Sequence, residues 1–302
     1  MVKNLVLENI SVGFKLPQGV FYAVDDVSLN LHGGNFTAII GESGCGKSVL
    51  GQAILNILPS GVVKKGRVLY NGEQVKKILS AFGIIPQNPS ESLNPVRKIG
   101  KQMQDILAVH SITDCDNSYK KQCLRLFGLQ EAERVLVAYP HELSGGMLQR
   151  VLCAMAVSSK PEWILADEPT KGLDEQVGAV VRKNLLTIKQ NLHLSMLIIT
   201  HDIALAQEVC DDVLVMYAGQ VLEHNADIWH KPLHPYTKGF LQALPKNGLQ
   251  VIPGKAPVPG ESFTGCKFAA RCPYCTTRCK EEKPAMQQVG DAEVRCFLYA
   301  EG

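Results

Sequence analysis

One eight-residue stretch constrains the fold of this chain more than any other. Residues 41–48 read GESGCGKS and match the pattern G-x-x-x-x-G-K-[ST]. The apolar run NFTAII precedes them, and the helical pattern KSVLGQAILNIL follows. A glycine-rich turn between a strand and a helix directs several backbone N–H groups at one anion, and the helix N-terminus adds partial positive charge. The stretch therefore predicts a phosphate-binding loop.

The members of this loop have distinct predicted roles. Lys47 can reach the β- and γ-phosphates of a nucleotide, and the Ser48 hydroxyl can ligate Mg²⁺. Cys45 lies at the helix start, where the pKa of a thiol falls, so we expect it to react with thiol reagents unless Mg-ATP protects it. The residues assigned to nucleotide binding here are Gly41, Glu42, Ser43, Gly44, Cys45, Gly46, Lys47, Ser48 and Val49.

Two later segments add candidate chemistry. WILADE, residues 163–168, is an apolar strand that ends in Asp167, suited to hold Mg²⁺, and Glu168, suited to polarise a water molecule. LSGGMLQR, residues 143–150, places a serine and two glycines before a helical run, which is a second candidate anion site. Two such sites about a hundred residues apart suggest that they face different nucleotides in a head-to-tail dimer.

The remaining pattern indicates the architecture. Strand-like runs alternate with helical ones, which predicts an α/β fold with a mainly parallel sheet covered on both faces. Residues 88–158 are predicted to form a helical subdomain within a larger domain at 1–244. Residues 245–302 are rich in proline, glycine and cysteine, and they are predicted to be a small appendage.

Charge and hydropathy exclude several classes of protein. The formal net charge is only +2, without the basic stripe of a nucleic-acid binder. No apolar run approaches the about 18 residues that suggest a membrane span, and the N-terminus does not match a secretory signal. We therefore expect a cytoplasmic protein, in which cysteines stay reduced.

These motifs together resemble the ATP-binding-cassette (ABC) ATPases over about residues 3–230. The resemblance identifies the signature as LSGGM, the acidic strand as ILADEP, and the D-loop as GLDE. It implies catalytic roles for Glu168, His201 and Gln87, and Mg²⁺ ligation by Ser48, Gln87 and Asp167. It also implies nucleotide contacts from Phe14, which would stack on adenine, and from Ser144, Gly145, Gly146 and Asp174.

Other segments indicate one subfamily within the ABC ATPases. QNPSESLNPVRKIGKQ, HKPLHPYTKGFLQALP and the tail VIPGKAPVP…GCKFAARCPY are similar to the peptide and nickel importers. Met147 is usual there, whereas Leu148 and the QNP sequence lean towards the nickel branch. Lys171 replaces the usual threonine, for which we have no explanation. The choice between peptides and nickel or a metal chelate stays open at this level.

The resemblance also implies partners. ATP would close a dimer of two cassettes, with a second, different ATPase subunit as the expected partner. The helical arm, residues 88–142, would contact two permease subunits, and an extracytoplasmic solute-binding protein would deliver substrate. The chain would then lie at the cytoplasmic face of the membrane, without nucleic acid. A cassette ATPase acting on nucleic acid or ribosomes is the alternative, and a nucleotide sensor without turnover is a third.

Five cysteines lie in the tail, and the residues alone leave their role open. Cys272 and Cys275 form the close pair typical of zinc sites, which two of Cys266, Cys279 and Cys296 would complete. The thiols are otherwise free or hold a different metal group. The family resemblance adds that Cys266, Cys272, Cys279 and Cys296, without Cys275, follow the spacing by which some dipeptide and oligopeptide ATPases hold a [4Fe–4S] cluster.

Overall fold

We describe the protein from a computed structural model, which places residues 3–17, 19–74, 81–112, 116–258, 261 and 263–300. The outer limits of the predicted domains, residues 1 and 302, lie outside the described residues. Among the described residues, none of the helices has the length and apolar character needed to cross a membrane.

The chain alternates strands and helices, as the sequence predicts. The strands are β1 (Leu5–Leu16), β2 (Gly19–Leu31), β3 (Phe36–Gly41), β4 (Val63–Tyr70), β5 (Glu73–Gln74), β6 (Phe82–Ile85), β7 (Trp163–Asp167), β8 (Ser195–Ile199), β9 (Asp212–Tyr217), β10 (Gln220–Asn225), β11 (Gln287–Val289) and β12 (Ala292–Val294). The helices are α1 (Lys47–Leu55), α2 (Pro89–Ser92), α3 (Ile99–Val109), α4 (Asn117–Leu126), α5 (Ala132–Val137), α6 (Gly145–Ser158), α7 (Glu175–Asn191), α8 (Ile203–Val209), α9 (Pro235–Gln242) and α10 (Thr277–Glu281).

These elements form two compact units, each made of several segments of the chain. The first unit comprises Met1–Lys3, His32–Phe36 and Lys77–Val209. The second unit comprises Asn4–Leu31, Thr37–Lys76 and Cys210–Gly302. The phosphate loop and the cysteine-rich tail therefore belong to the same unit. The proposed domain boundary at 244/245 remains a sequence-based prediction.

The first unit contains a parallel sheet in which β7 lies between β6 and β8. All residues of β8 are buried, as are the first four of β7, which explains why these strands read as apolar runs rather than alternating ones. Helix α6 packs against β6 and against α3, α4 and α7. From Leu148 to Ser158 every residue of α6 except Arg150 is buried, so this helix forms the centre of the region predicted to be helical.

The second unit contains an antiparallel sheet in the order β2-β1-β4-β5. In a separate set of pairings, β9 lies parallel to β3 and antiparallel to β10. Strand β10 continues into β12 and then β11. The apolar residues of β3, β9 and β10 are buried almost throughout, and this packing fixes the strand that leads into the phosphate loop.

The tail is better integrated than the sequence predicted. Its β11–β12 hairpin extends the sheet of the second unit through pairing of β12 with β10. Gly290, at φ 62°, and Asp291 form the connection between the paired residues Val289 and Ala292. A Gly-Asp pair between short alternating runs is a hairpin signal, and it was present in the sequence as QQVGDAEV.

One histidine ties the hairpin to the sheet. His224 on β10 has Nε2 3.4 Å from Oδ2 of Asp212 on β9 and Nδ1 3.3 Å from Oε2 of Glu293 on β12. Burial lowers the pKa of His224. The hydrogen bonds and negative charges of Asp212 and Glu293 together raise it by more than burial lowers it, so that the pKa is about 9. The ring is therefore charged at neutral pH and attracts both neighbouring strands.

We predict that this stabilisation depends on pH. The pKa of His224 is above its ordinary value of 6.5, so the stabilisation is complete below that value and disappears as pH rises through about 9. Such a shift corresponds to roughly 3 kcal/mol. His224→Gln should lower the thermal unfolding temperature near neutral pH, with a deficit that shrinks as pH rises. Scanning fluorimetry of both proteins across this range measures it, and a deficit independent of pH would contradict the assignment.

Candidate functional site

The phosphate loop follows β3 and can form only because two of its residues lack a side chain. Gly41 has φ 151°, and a Cβ there would lie 2.2 Å from the carbonyl oxygen of Met216. Gly46 has φ 104°, and a Cβ there would lie 2.1 Å from the carbonyl oxygen of Ala23. Both contacts are with rigid backbone, so any larger residue would displace the loop.

Lys47 is held against the loop rather than extended into solvent. Its side chain is buried, and Nζ donates to the carbonyl oxygens of Gly41 at 3.0 Å and Glu42 at 3.1 Å. Helix α1 begins at Lys47 after Gly46, and no side chain among the described residues caps its first turn. An uncapped helix start with a lysine beside it is the arrangement that binds phosphate groups.

The other predicted loop residues surround this centre. Ser43, Gly44 and Ser48 are exposed, and Val49 is half-buried in the first turn of α1. Gly44 borders a cavity of about 430 Å³ that is also lined by β2 and by the tail. Phe14 is half-buried on β1, directly opposite Phe21 of β2.

The expectation that the Cys45 thiol has a lowered pKa is wrong. Its side chain is 5% exposed, and burial raises the pKa of the thiol, which the charge of Lys47 offsets only in part. The helix start therefore does not produce a low pKa here, because desolvation of the thiolate outweighs it.

Four candidate residues of the first unit lie at one edge of its sheet. Gln87 follows β6, Asp167 and Glu168 end and follow β7, and His201 follows β8. Since β6, β7 and β8 are neighbouring parallel strands, their carboxyl ends meet at the same edge, which is where open α/β sheets bind ligands.

Glu168 and His201 are in direct contact. Nδ1 of His201 lies 2.6 Å from Oε2 of Glu168, which is 8% exposed, whereas the His201 side chain is 57% exposed. Glu168 adopts φ 49°, and its N–H donates to the carbonyl oxygen of Ile199 at 2.8 Å. The carboxylate is thus held in a fixed position by backbone and side-chain contacts.

Two helix starts of the first unit carry the remaining candidates. Ser144 caps α6 by accepting from the Met147 N–H at 3.3 Å, and a Cβ on Gly145 or Gly146 would meet nothing within 4 Å. The backbone there is open to a ligand. Asp174 caps α7 by accepting from the Val177 N–H at 2.9 Å, which is a structural role that the sequence did not reveal.

The tail cysteines separate into two groups. Cys266, Cys272, Cys279 and Cys296 line one cavity of about 170 Å³, together with His234, Phe268 and Phe297. Cys275 is not among the described residues that line it. Burial raises the pKa of Cys266 to about 11 and also raises the pKa of Cys272 and Cys296. Among the described residues, no group of three or more His, Cys, Asp or Glu side chains could hold a single metal ion.

Residues of the second unit that sequence reasoning missed contact the loop itself. The N–H of Glu42 donates to the Tyr236 hydroxyl at 3.1 Å. Nη1 of Arg271 lies 3.1 Å from both carboxylate oxygens of Glu42. Neither contact was visible in the motif, because Glu42 occupies a variable position of the pattern.

We predict slow modification of Cys45. Because the thiol is buried and its pKa is raised, a thiol reagent at neutral pH should label Cys45 at least about tenfold more slowly than Cys275. Peptide mass spectrometry after timed alkylation gives both rates in one sample. Equal rates would show that the loop opens more readily than its packing implies.

Comparison with known proteins places these features in a family. A family model described as ABC transporter matches residues 24–171, and one described as oligopeptide/dipeptide transporter, C-terminal region, matches residues 222–279. The oligopeptide transport ATP-binding protein OppD of Haemophilus influenzae is 34% identical, over 98% of this chain and 98% of that protein. The dipeptide transport ATP-binding protein DppD of Escherichia coli is 36% identical, over 95% and 94%.

Solved structures agree. A dimeric bacterial ABC transporter cassette matches with a TM-score of 0.62 at 26% identity, over 74% of this chain and 98% of the other. A cassette dimer in a post-hydrolysis state bound to ADP and Pi matches with a TM-score of 0.61 at 25% identity, over the same shares. The predicted α/β cassette fold is confirmed. The chain belongs to the ATP-binding subunits of ABC transporters, within the oligopeptide and dipeptide group, and it is an ATPase.

Proposed function

We propose that this chain is the ATP-hydrolysing subunit of a binding-protein-dependent importer of peptides. The names of the relatives above describe oligopeptide and dipeptide transport, and the match extends over nearly the whole of each chain. The observation that carries the catalytic part is the contact of Glu168 with His201 at the edge of the β6–β8 sheet. A role on nucleic acid or ribosomes has no comparable support.

Nucleotide binding would depend on the phosphate loop. Lys47 would contact the β- and γ-phosphates, and the start of α1 would bind the phosphate oxygens. Phe14 would stack on adenine. On the first unit, the open backbone of Gly145 and Gly146 would receive the phosphates of the partner cassette's nucleotide, with Ser144 and Asp174 beside it.

Mg²⁺ fits the chemistry of the candidate ligands. Ser48, Gln87 and Asp167 offer the hydroxyl, amide and carboxylate oxygens that this ion prefers. When bound, Mg²⁺ neutralises charge on the phosphate oxygens.

Glu168 would orient and polarise the attacking water. An ionised carboxylate only accepts hydrogen bonds, so Nδ1 of His201 donates to Oε2 of Glu168. His201 would therefore hold Glu168 in place, and the family resemblance assigns its exposed ring a contact with the γ-phosphate.

The transport assembly would contain two permease subunits, a second and different ATPase, and a solute-binding protein. Helices α2 to α5, within the helical arm at residues 88–142, would contact the permeases at the cytoplasmic face of the membrane. A cavity of about 550 Å³, lined by residues of β6, α3 and α6, supports this assignment. Val109, at its border, is 82% exposed, as expected for a residue that a partner covers.

Hydrolysis in the assembled transporter tests the proposal. Reconstituted with its permeases, partner ATPase and binding protein, the wild-type subunit should hydrolyse ATP faster when peptide is added. Glu168→Gln should still bind Mg-ATP but lose turnover by roughly a hundredfold or more, because the general base acts only in the hydrolytic step. Lys47→Ala should lose much of the nucleotide binding.

The controls separate the alternatives. Lys183→Gln removes an exposed charge on α7 of the same unit, outside the helical arm, and should leave both properties unchanged. If ATP hydrolysis were stimulated by nickel or a nickel chelate but not by peptide, the substrate would be nickel and not peptide. Wild-type turnover by Glu168→Gln would contradict the assignment of the base.

We also propose that the four-cysteine cavity holds a [4Fe–4S] cluster. Zinc would need its ligands about 2.3 Å from one ion, whereas each thiolate of a cluster binds its own iron, so the sulfur atoms need only surround a shared space. Four cysteines around one cavity fit this donor set, and Cys275 is not needed. When bound, a cluster would supply a covalent link between distant parts of the tail and a redox centre.

Substitution of Cys279, which lines the cavity, and of Cys275, which does not, tests whether a cluster is present. After anaerobic purification the protein should be brown and contain iron and acid-labile sulfide. Cys279→Ser should lose both, because its thiol lines the cavity, whereas Cys275→Ser should retain both. Colourless wild-type protein with stoichiometric zinc, released by Cys275→Ser, would support the zinc alternative instead.

A further inference from the structure

The tail segment between Cys266 and Cys272 contacts the phosphate loop through a buried arginine. The Arg271 side chain is 7% exposed, and its Nη1 contacts both carboxylate oxygens of Glu42 at 3.1 Å. Nε of Arg271 donates to the carbonyl oxygen of Pro253 at 3.1 Å, and Nη1 donates to the Tyr217 hydroxyl at 3.3 Å. The guanidinium group is therefore fixed on several sides.

The charge of Glu42 gives this contact a consequence for nucleotide binding. Glu42 is the second residue of an anion-binding loop, and a carboxylate there repels the phosphate groups that the loop must receive. Arg271 neutralises that carboxylate within the folded protein. Without it, a partly buried negative charge would remain beside the anion site, where effective screening is weaker than in water.

Lys267, in the same segment, supports the loop by a second route. Its side chain is 8% exposed, and Nζ lies 2.8 Å from Oδ2 of Asp25 and donates to the carbonyl oxygen of Ala218 at 2.8 Å. The next residue, Gly219, donates its N–H to the carbonyl oxygen of Cys45 in the loop at 2.9 Å. Lys267 thus holds the turn to which the loop is hydrogen-bonded.

Phe268 completes the contact with aromatic packing. It is 1% exposed, and its ring centroid lies 5.4 Å from Tyr217 and 5.5 Å from Tyr236. Tyr236 in turn accepts the Glu42 N–H. Phe268 also lines the four-cysteine cavity, so the segment has the cavity on one side and the loop contacts on the other.

We propose that Lys267, Phe268 and Arg271 form a phosphate-loop clamp, and that the affinity for ATP thereby depends on the state of the four-cysteine cavity. Arg271 and Lys267 act as positioning residues, because they do not contact the nucleotide. Arg271 acts on Glu42, and Lys267 acts on the turn at Ala218. A change that moves Cys266 or Cys272 moves the clamp between them. The clamp rests on the proposed function, since it requires that this loop bind ATP.

Equilibrium binding of a fluorescent Mg-ATP analogue to the full chain tests whether Arg271 affects nucleotide affinity. Arg271→Gln should raise the Kd about tenfold, a size typical of coupled charged neighbours. Glu42→Gln should change the Kd by less than about threefold, because it removes the repulsion together with the contact. The double variant should bind nearly as well as Glu42→Gln, which a merely structural role of Arg271 would not produce.

The control and the alternative outcomes follow from the same titration. Lys280→Gln removes an exposed tail charge and should bind like wild type. If Arg271→Gln does not fold, Lys267→Gln takes its place, with an expected increase of at least about threefold. Wild-type affinity in either folded variant, or a double variant as weak as Arg271→Gln, overturns the clamp.

The same two cysteine substitutions, at Cys279 and Cys275, test whether ATP affinity depends on the four-cysteine cavity. Cys279→Ser should weaken binding of the analogue at least about threefold relative to Cys275→Ser, measured on folded protein with iron content determined in parallel. Loss of iron with unchanged Kd overturns the dependence on the cavity. Absence of Mg-ATP binding by the wild type would instead contradict the proposed function, so the two failures are distinguishable.

Discussion

The shape of the candidate phosphate loop depends on how closely three backbone segments approach one another. Gly41 lies against the carbonyl oxygen of Met216, and Gly46 lies against that of Ala23, at separations that leave no room for a side chain. Close packing of backbone transmits displacement, because protein interiors have few voids to absorb it. The positions of β9 and β2 therefore determine the shape of the candidate anion-binding loop.

The charged side chains of the candidate sites are each held by a partner, which is either another side chain or a backbone carbonyl. Lys47 is hydrogen-bonded to loop carbonyls, and the negative charge of Glu42 is countered by Arg271 from the tail. In the first unit, the carboxylate of Glu168 is held by His201. Each functional group thus has a partner that sets its orientation, as is usual where chemistry requires a fixed geometry.

Predictions made from the sequence were accurate where local pattern and chemistry coincide. The strand, glycine turn and helix around Lys47 follow from the motif, and the apolar strands β7 and β8 follow from their composition. The tail hairpin was missed because its strands are only three residues long. The low pKa expected for Cys45 was wrong, since burial depends on packing that the motif does not specify.

The sequence by itself determined the phosphate loop, the acidic strand end, the alternation of strands and helices, and the five tail cysteines as candidate ligands. Only the tertiary structure decided that four of them line one cavity without Cys275, and that Arg271 lies on Glu42, 229 residues away in the chain. Local motifs are readable because backbone geometry and residue chemistry act over a few positions. Pairings between distant residues depend instead on how the strands pack, which no short pattern encodes.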